Sequence, residues 1–240
     1  KFIMAYTTIK KSSDYFNTLL YTGTGSELAI TGVGFQPDWV WTKNRVVNYS
    51  HWLFDVVRGV NKGLRTDFTT GELDNATRQV SFDSDGFTLG ANADVNVNTN
   101  TYASWNWKAN GTGVSNTSGS ITSTVSASAT SGFSIVKWTG TGANATVGHG
   151  LSTAPKWVIC KRIDADDGWW TYINSIGAGG EIILNSTSAQ GSNGGVLWNS
   201  TNPTSSVFSV GTNGGVNASS GTYIAYCFAD VQGYSKFGSY

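Results

Sequence analysis

The sequence has few charged residues and no long apolar run, and each absence excludes a class of protein. Lysine plus arginine and aspartate plus glutamate number 15 each, and charged residues make up only 12% of the 240 residues. A chain without net charge has no field that attracts nucleic acid or an anionic membrane surface. Because no run of 18 apolar residues occurs, we predict neither a transmembrane helix nor membrane insertion.

Cysteine and histidine are equally scarce. The two cysteines, Cys160 and Cys227, both lie in the second half of the chain, so a fold shared by both halves cannot need a disulfide. We expect them to be unpaired core residues, with a bridge as the alternative. The two histidines, His51 and His149, are far apart, and no zinc-ligand spacing or paired base for a serine nucleophile is present. The sequence therefore predicts no catalytic residue and no cofactor.

Aromatic residues and glycine are abundant instead. The chain has 10 Trp, 10 Tyr and 11 Phe, together with 30 Gly and only three Pro. This aromatic content is not typical of a disordered polar chain. Short segments of period 2 between frequent turn signals are typical of strands. We therefore predict an all-β fold, with helix limited to at most one turn in 55–62.

One stretch occurs twice and organises the chain. Residues 21–43 read YTGTGSELAITGVGFQPDWVWTK, and residues 138–161 read WTGTGANATVGHGLSTAPKWVICK. Both begin with an aromatic residue and Thr-Gly-Thr-Gly and reach Pro-x-Trp-Val-x-x-Lys, at offsets of 117 and 118 residues. Matching aromatic residues continue to the end of each copy. An internal duplication with small loop insertions explains this slow drift in offset.

The matched aromatic residues predict the core of each copy. We expect their side chains to be buried, which contributes about 1.5–3 kcal/mol for each. They are Trp39, Trp52, Phe87 and Tyr102 in the first copy, and Trp157, Trp170, Phe208 and Tyr223 in the second. The pattern predicts two tandem β-sandwich domains of jelly-roll or lectin-like type that arose by internal duplication.

The predicted domains divide the chain as follows. Residues 1–15 form an N-terminal arm that packs outside the first domain or on a neighbouring subunit, and 16–108 form the first sandwich. Residues 109–131 are rich in Gly, Ser and Thr and form either a flexible linker or, in part, an edge strand. Residues 132–240 form the second sandwich with a C-terminal tail. Because this tail resembles the run into each copy, we expect the natural chain to continue, and Met4 is a candidate start.

An acidic loop before two tryptophans is the strongest candidate site. Asp164, Asp166 and Asp167 could serve in acid–base hydrolysis of a glycan or ligate calcium, although a solvated turn explains them equally well. Strand alternation sends Trp169 and Trp170 to opposite faces, so we expect one of them at the surface. Trp169 and the three aspartates are therefore candidate glycan contacts. The alternative is that Trp169 fills a second core layer or a subunit interface.

Several longer motifs resemble a repeat module of tailed bacteriophages. They are the opening 4–18, then YTGTG, GVGFQPDWVW and SFDSDGFTLG in the first half, and GTGANATVGHGL, APKWVICK and GTYIAYCFADVQGYSKFGSY in the second. Such modules resemble tandem β-domains in tail-fibre and other appendage proteins of marine bacteriophages. The resemblance covers nearly the whole chain and implies a location rather than a reaction.

The resemblance implies a non-enzymatic virion protein that serves in structure or adhesion, outside the cell. Low charge and abundant aromatic residues also suit large subunit interfaces, so we expect a homo-oligomer, a trimer or higher. The expected partners are other virion proteins and a host surface glycan, and not nucleic acid. The alternatives are a carbohydrate-binding, lectin-like module and a glycan depolymerase. We predict no cofactor, with calcium as the alternative.

Overall fold

The structure is a computed structural model that describes residues 7–238. The first six residues of the predicted arm and the last two of the tail lie outside the described residues. Antiparallel strands dominate the regular structure, which confirms the prediction of an all-β fold. Within the described range, no helix is both long and apolar enough to cross a membrane.

The first half forms one large and one small antiparallel sheet. A short 3-10 helix, Ser12–Asp14, precedes them. The elements that follow are β1 (Phe16–Thr22), β2 (Leu28–Thr31), β3 (Trp39–Asn44), β4 (Trp52–Asp55), β5 (Lys62–Arg65), β6 (Leu73–Asp74), β7 (Gln79–Asp83), β8 (Gly86–Leu89), α1 (Ala93–Asn96) and β9 (Thr101–Trp107). The large sheet has the order β1-β9-β3-β4-β5-β6, and the small sheet has the order β2-β8-β7.

The second half again forms one large and one small sheet. Its elements are β10 (Val114–Asn116), β11 (Ser123–Ser128), β12 (Phe133–Thr139), β13 (Ala145–Gly148), β14 (Trp157–Arg162), β15 (Trp169–Ile173), β16 (Gly180–Ile183), β17 (Gly191–Ser192), β18 (Val207–Val210), α2 (Gly214–Asn217) and β19 (Thr222–Phe228). The large sheet has the order β10-β11-β12-β19-β14-β15-β16-β17, and β13 pairs with β18 in the small sheet.

The strand order of the first large sheet recurs in the second. The run β1-β9-β3-β4-β5-β6 corresponds to β12-β19-β14-β15-β16-β17. The pairing register recurs as well, because Trp39 lies opposite Trp107 just as Trp157 lies opposite Phe228. The repeat seen in the sequence is therefore also a repeat of strand order and register.

Residues 109–131, for which the sequence left a linker and an edge strand open, contain β10 and β11. These two strands extend the second large sheet beyond β12. Val125 on β11 is buried in the core of the second half. This part of the segment is thus paired backbone in the sheet.

Buried apolar residues form three clusters. One combines the two sheets of the first half and contains Phe87 of β8 and Phe54 of β4. A second combines the two sheets of the second half and contains Phe208 and Tyr223. A third combines the large sheet of the first half with that of the second, and Tyr226 belongs to it.

The third cluster lies on the opposite face of each large sheet from its small sheet. Neighbours along a strand point to opposite faces, and on β3 Val40 belongs to the core of the first half whereas Trp39 belongs to the third cluster. Trp39 is close to Tyr226 of β19, with ring centroids 5.5 Å apart. The two large sheets therefore pack against each other through their outer faces.

Burial follows the prediction at most of the matched aromatic positions. Those that are buried are Trp39, Trp52, Phe87, Tyr102, Phe208 and Tyr223. Trp157 and Trp170 are only half-buried, so the prediction is wrong for these two. Trp157 is the first residue of β14, and its ring centroid lies 6.1 Å from that of Phe237 in the tail. The indole N–H of Trp170 reaches the partly exposed carboxylate of Asp167, at 2.8 Å.

The repeated Thr-Gly-Thr-Gly motif is a loop that a buried asparagine holds in place. In the first half, Asn96 of α1 accepts the backbone N–H of Thr24 at 2.8 Å. In the second, Asn217 of α2 accepts that of Thr141 at 2.9 Å. The glycine that opens the first loop is required sterically, since a Cβ on Gly23 would lie 2.1 Å from a backbone oxygen. The motif is part of the structural framework.

The two helical turns do not lie where the sequence placed helix. Residues 55–62 contain the end of β4, turns and the start of β5, while α1 and α2 follow the small sheet of each half. The side chains of Asn92 and Asn213 cap these two turns by accepting a backbone N–H. A single turn has no apolar periodicity, so only capping and tertiary contacts define it.

Candidate functional site

The acidic loop, residues 163–168, connects β14 to β15 at the contact between the two halves. The carboxylate of Asp164 accepts the Nε–H of Arg162 at 2.9 Å and the backbone N–H of Thr222 at 3.1 Å. The hydrogen bond from Arg162 is the main cause that lowers the pKa of Asp164 below its ordinary value. Asp164 is thus a paired, exposed carboxylate.

The remainder of the acidic loop binds the segment 69–72 of the first half. The carboxylate of Asp166 accepts the backbone N–H of Gly71 at 3.1 Å, and the backbone N–H of Asp167 donates to Thr69 at 2.8 Å. The approach is close, because a Cβ on Gly71 would lie 2.9 Å from the backbone oxygen of Ile163. The loop therefore connects the two halves through its backbone and side chains.

The hydrogen bonds of the three aspartates are relevant to their predicted roles in hydrolysis, calcium binding and glycan binding. Asp167 accepts the N–H of Gly168 and of the Trp170 indole with the same oxygen, so each of the three carboxylates already accepts hydrogen bonds from the protein. Over residues 7–238, no group of three or more His, Cys, Asp or Glu side chains is arranged to hold a metal ion. A glycan contact at Asp164, Asp166 and Asp167 stays a prediction.

The glycan contact predicted at Trp169 requires a correction. Its side chain is fully buried in the third cluster, and its indole N–H donates to the backbone oxygen of Arg65 in the first half at 3.0 Å. The ring therefore has no free face for a sugar. Alternation did send Trp169 and Trp170 to opposite faces, but the other half of the chain covers the face that holds Trp169.

A buried lysine lies beside the same contact. The amine of Lys161 donates to the backbone oxygens of Thr69, at 3.0 Å, and Arg162, at 2.8 Å. Burial lowers the pKa of Lys161 to about 8. Its side chain has no exposed surface, so this amine acts as a hydrogen-bond donor between the halves.

A second polar contact between the halves is made by a fully buried ion pair of the first half, which accepts a hydrogen bond from the second half. The Nε–H of Arg58 donates to Asp55 Oδ2 at 2.6 Å, and neither side chain is exposed. The same oxygen accepts the hydroxyl of Tyr226, from the second half, at 2.7 Å. Burial raises the pKa of Tyr226 well above its ordinary value, so the hydroxyl stays a donor.

His149 and the two cysteines, which could also take part in catalysis, have buried side chains. His149 is buried, with Nδ1 accepting the N–H of Leu151 and Nε2 donating to the oxygen of Thr204, each at 3.1 Å. Cys160 and Cys227 are free and buried, and burial raises the pKa of both thiols. Thiols in this state are poor nucleophiles, because the thiolate is the reactive form.

A groove between the halves was not predicted from the sequence. It has a volume of about 410 Å³ and is hereafter called the inter-half groove. The first half contributes Trp41, His51, Thr66 and Asp67, and the second contributes residues 184–187. An apolar cavity of about 50 Å³ lies next to it and shares Trp41, Thr66 and Leu184. The sequence repeat relates the two sides of this groove, because Thr66-Asp67 in the first copy is equivalent to 184–185 in the second at the offset of 118.

Comparison with known proteins identifies a family, and the description of that family names no activity. Residues 11–240 match the family described as "Domain of unknown function (DUF7483)". No curated protein and no solved structure matches the chain significantly. The family match covers nearly the whole of both halves, and the chain therefore belongs to the DUF7483 family.

Proposed function

We propose that the chain is a non-enzymatic structural and adhesion module of a virion appendage, such as the tail fibre of a tailed bacteriophage. It comprises two tandem β-sandwiches of jelly-roll or lectin-like type that arose by duplication, and β10 and β11 extend the large sheet of the second. The recurrence of strand order and pairing register in the two large sheets supports the duplication. The resemblance of the repeated motifs to phage appendage modules supports the location.

One observation carries the structural role. The loop that holds Asp164, Asp166 and Asp167 is bonded to the backbone of the first half and to β14, β15 and β19 of the second. General acid–base catalysis needs two groups that converge on a substrate and differ in pKa. Asp166 instead accepts a backbone N–H of the first half, and this bond helps to fix the relative position of the two halves.

The contact between the halves also suits a rigid spacer. It combines a large apolar cluster with the Tyr226–Asp55 and Lys161–Thr69 hydrogen bonds, and buried polar bonds of this kind restrict two elements to one arrangement. An appendage transmits force and position along its length, so a rigid repeat is the expected building block.

Oligomeric assembly is the second part of the proposal. Leu20 on the outer face of β1 is 66% exposed, and Trp105, near it on β9, is only half-buried. Val114 on the edge strand β10 is 68% exposed. Apolar side chains of this kind at a sheet face and a sheet edge suit contacts between copies of the chain.

Two measurements on the purified chain test this function. Mass photometry over a wide concentration range is expected to show a trimer or higher oligomer. Incubation with bacterial surface polysaccharides is expected to release no reducing ends. A strict monomer in solution and in native particles would contradict the assembly role. Release of reducing ends that is abolished by Asp164→Asn with Asp166→Asn would contradict the non-enzymatic role.

A lectin-like module is the second candidate, and the inter-half groove favours it. A half-buried tryptophan there lies among hydroxyl, amide and carboxylate side chains. The two candidates are compatible, since adhesion to a host surface requires a binding site on the appendage.

A further inference from the structure

The first half contributes to the inter-half groove a side chain that a backbone bond orients. Asp67 follows β5, and its Oδ1 accepts the backbone N–H of His51, just before β4, at 3.2 Å. The backbone N–H of Thr66 donates back to the oxygen of His51 at 3.0 Å. This pair of bonds extends the pairing of β4 with β5 and directs the Asp67 carboxylate to the groove.

The second half repeats this arrangement at an offset of 118 residues. Asn185 follows β16, and its Oδ1 accepts the backbone N–H of Trp169 at 3.0 Å. The backbone N–H of Leu184 donates to the oxygen of Trp169 at 2.9 Å. The groove is therefore lined by the same segment of both copies, with a carboxylate on one side and an amide on the other.

Each of these side chains keeps one polar atom for a ligand. Asp67 Oδ2, which accepts hydrogen bonds, and Asn185 Nδ2, which donates them, have no hydrogen-bond partner within residues 7–238. Asp67 is exposed, and the amide of Asn185 is half-buried. A donor and an acceptor at one groove match a hydroxyl, which acts in both roles.

Trp41 supplies a fixed aromatic surface beside these two groups. Its indole N–H donates to Thr66 Oγ1 at 3.1 Å, which sets the orientation of the ring. The ring contacts Trp105 and Trp39, with centroid distances of 5.6 and 5.9 Å, and it is half-buried. A ring held on several sides loses little conformational entropy when a ligand stacks on it.

We infer that the inter-half groove binds a neutral, hydroxyl-rich glycan, with a sugar ring against Trp41 and hydroxyls at Asp67 and Asn185. The volume of about 410 Å³ is sufficient for a small saccharide. Asp67 forms no ion pair among the described residues, and its carboxylate would repel an acidic sugar. The inference deepens the adhesion role proposed above and rests on it.

The test begins with an array of bacterial surface oligosaccharides, neutral and uronic-acid-containing. The glycan that binds best is then titrated into 15N-labelled protein. We expect neutral oligosaccharides to bind and the cross-peaks of the Trp41 indole N–H and the Asn185 side-chain amide to shift. This readout uses the unaltered chain and does not depend on any variant folding.

Variants then locate the site. Trp41→Ala and Asp67→Asn are expected to raise the Kd at least about tenfold, as removal of a central contact does. The control is Glu27→Gln, which neutralises an exposed carboxylate outside the groove and is expected to bind as tightly as the wild type. Thermal unfolding of each variant confirms that it is folded.

Three results would overturn the inference. They are no binding to any neutral glycan on the array, binding that Trp41→Ala and Asp67→Asn leave unchanged, and binding that Glu27→Gln weakens as much as Asp67→Asn does. A chain that is present in virion appendages but binds no glycan would refute this inference alone. Absence from such particles would refute the proposed function.

Discussion

The hydroxyl of Tyr226 gives the sharpest test of how the two halves are joined. It donates to Asp55 Oδ2 at 2.7 Å across the contact, and both side chains are buried. The change Tyr226→Phe removes only this hydroxyl and keeps the ring in the apolar cluster. We expect the free energy of unfolding to fall by about 1.5–3 kcal/mol, the usual contribution of a hydrogen bond to a charged group.

The loss should be no larger, because Asp55 keeps other partners. Its Oδ2 still accepts Arg58 Nε, and its Oδ1 accepts the backbone N–H groups of Val57 and Arg58 at 3.0 and 2.9 Å. Removal of Arg58 instead leaves a buried carboxylate without its cation, which costs about 3–5 kcal/mol. Arg58→Met is therefore expected to be the more destabilising of the two substitutions.

Guanidinium unfolding followed by tryptophan fluorescence measures both losses, and Tyr172→Phe is the matched control. Tyr172 is equally buried, but its hydroxyl makes only a 3.4 Å contact with Asn174 within the second half, so we expect a loss below about 1 kcal/mol. A double-mutant cycle with Asp55→Asn isolates the pair. Equal losses for Tyr226→Phe and Tyr172→Phe, or a coupling energy of zero, would refute the reasoning.

Three further predictions concern the contact between the halves and the loops of the repeat. Gly71→Ala is expected to lower the free energy of unfolding by about 1–3 kcal/mol through overpacking against the acidic loop, while Gly179→Ala, where a Cβ meets nothing within 4 Å, should be nearly neutral in the same denaturant titration. Lys161 has a pKa of about 8 in the folded chain against an ordinary 10.5, so the native state loses this proton first as pH rises. The wild type should therefore gain stability relative to Lys161→Met by on the order of 2 kcal/mol between about pH 7 and pH 10, and a pH-independent difference would contradict this. Asn217→Ala leaves buried backbone groups of the Thr-Gly-Thr-Gly loop without partners and should cost at least about 2 kcal/mol; an unchanged melting curve would refute that role.

Strands with strong alternation could be read from the sequence. In β3, Trp39 and Trp41 alternate with Val40 and Thr42, and in β9, Trp105 and Trp107 alternate with Ser104 and Asn106. The strands β5 and β6 have no such pattern. They are short and carry glycine or polar residues, so only their pairing with β4 and with each other defines them.

The location of the sites could not be read from alternation alone. Period 2 shows that Trp169 and Trp170 point to opposite faces, but whether either face meets solvent depends on the packing of one large sheet on the other. That packing leaves no periodic signal. The repeat offset did carry the equivalence of Asp67 and Asn185, and it became informative only when the structure placed both side chains at one groove.

The most direct test of the proposed function is the location of the chain in particles. Antibodies raised against the purified protein are applied with immunogold to particles released from the cells that express the gene. We predict gold label on the tails or surface appendages of tailed virions, in several copies on each particle. Particles without label, with the protein found only in the soluble fraction of the cells, would contradict the proposal.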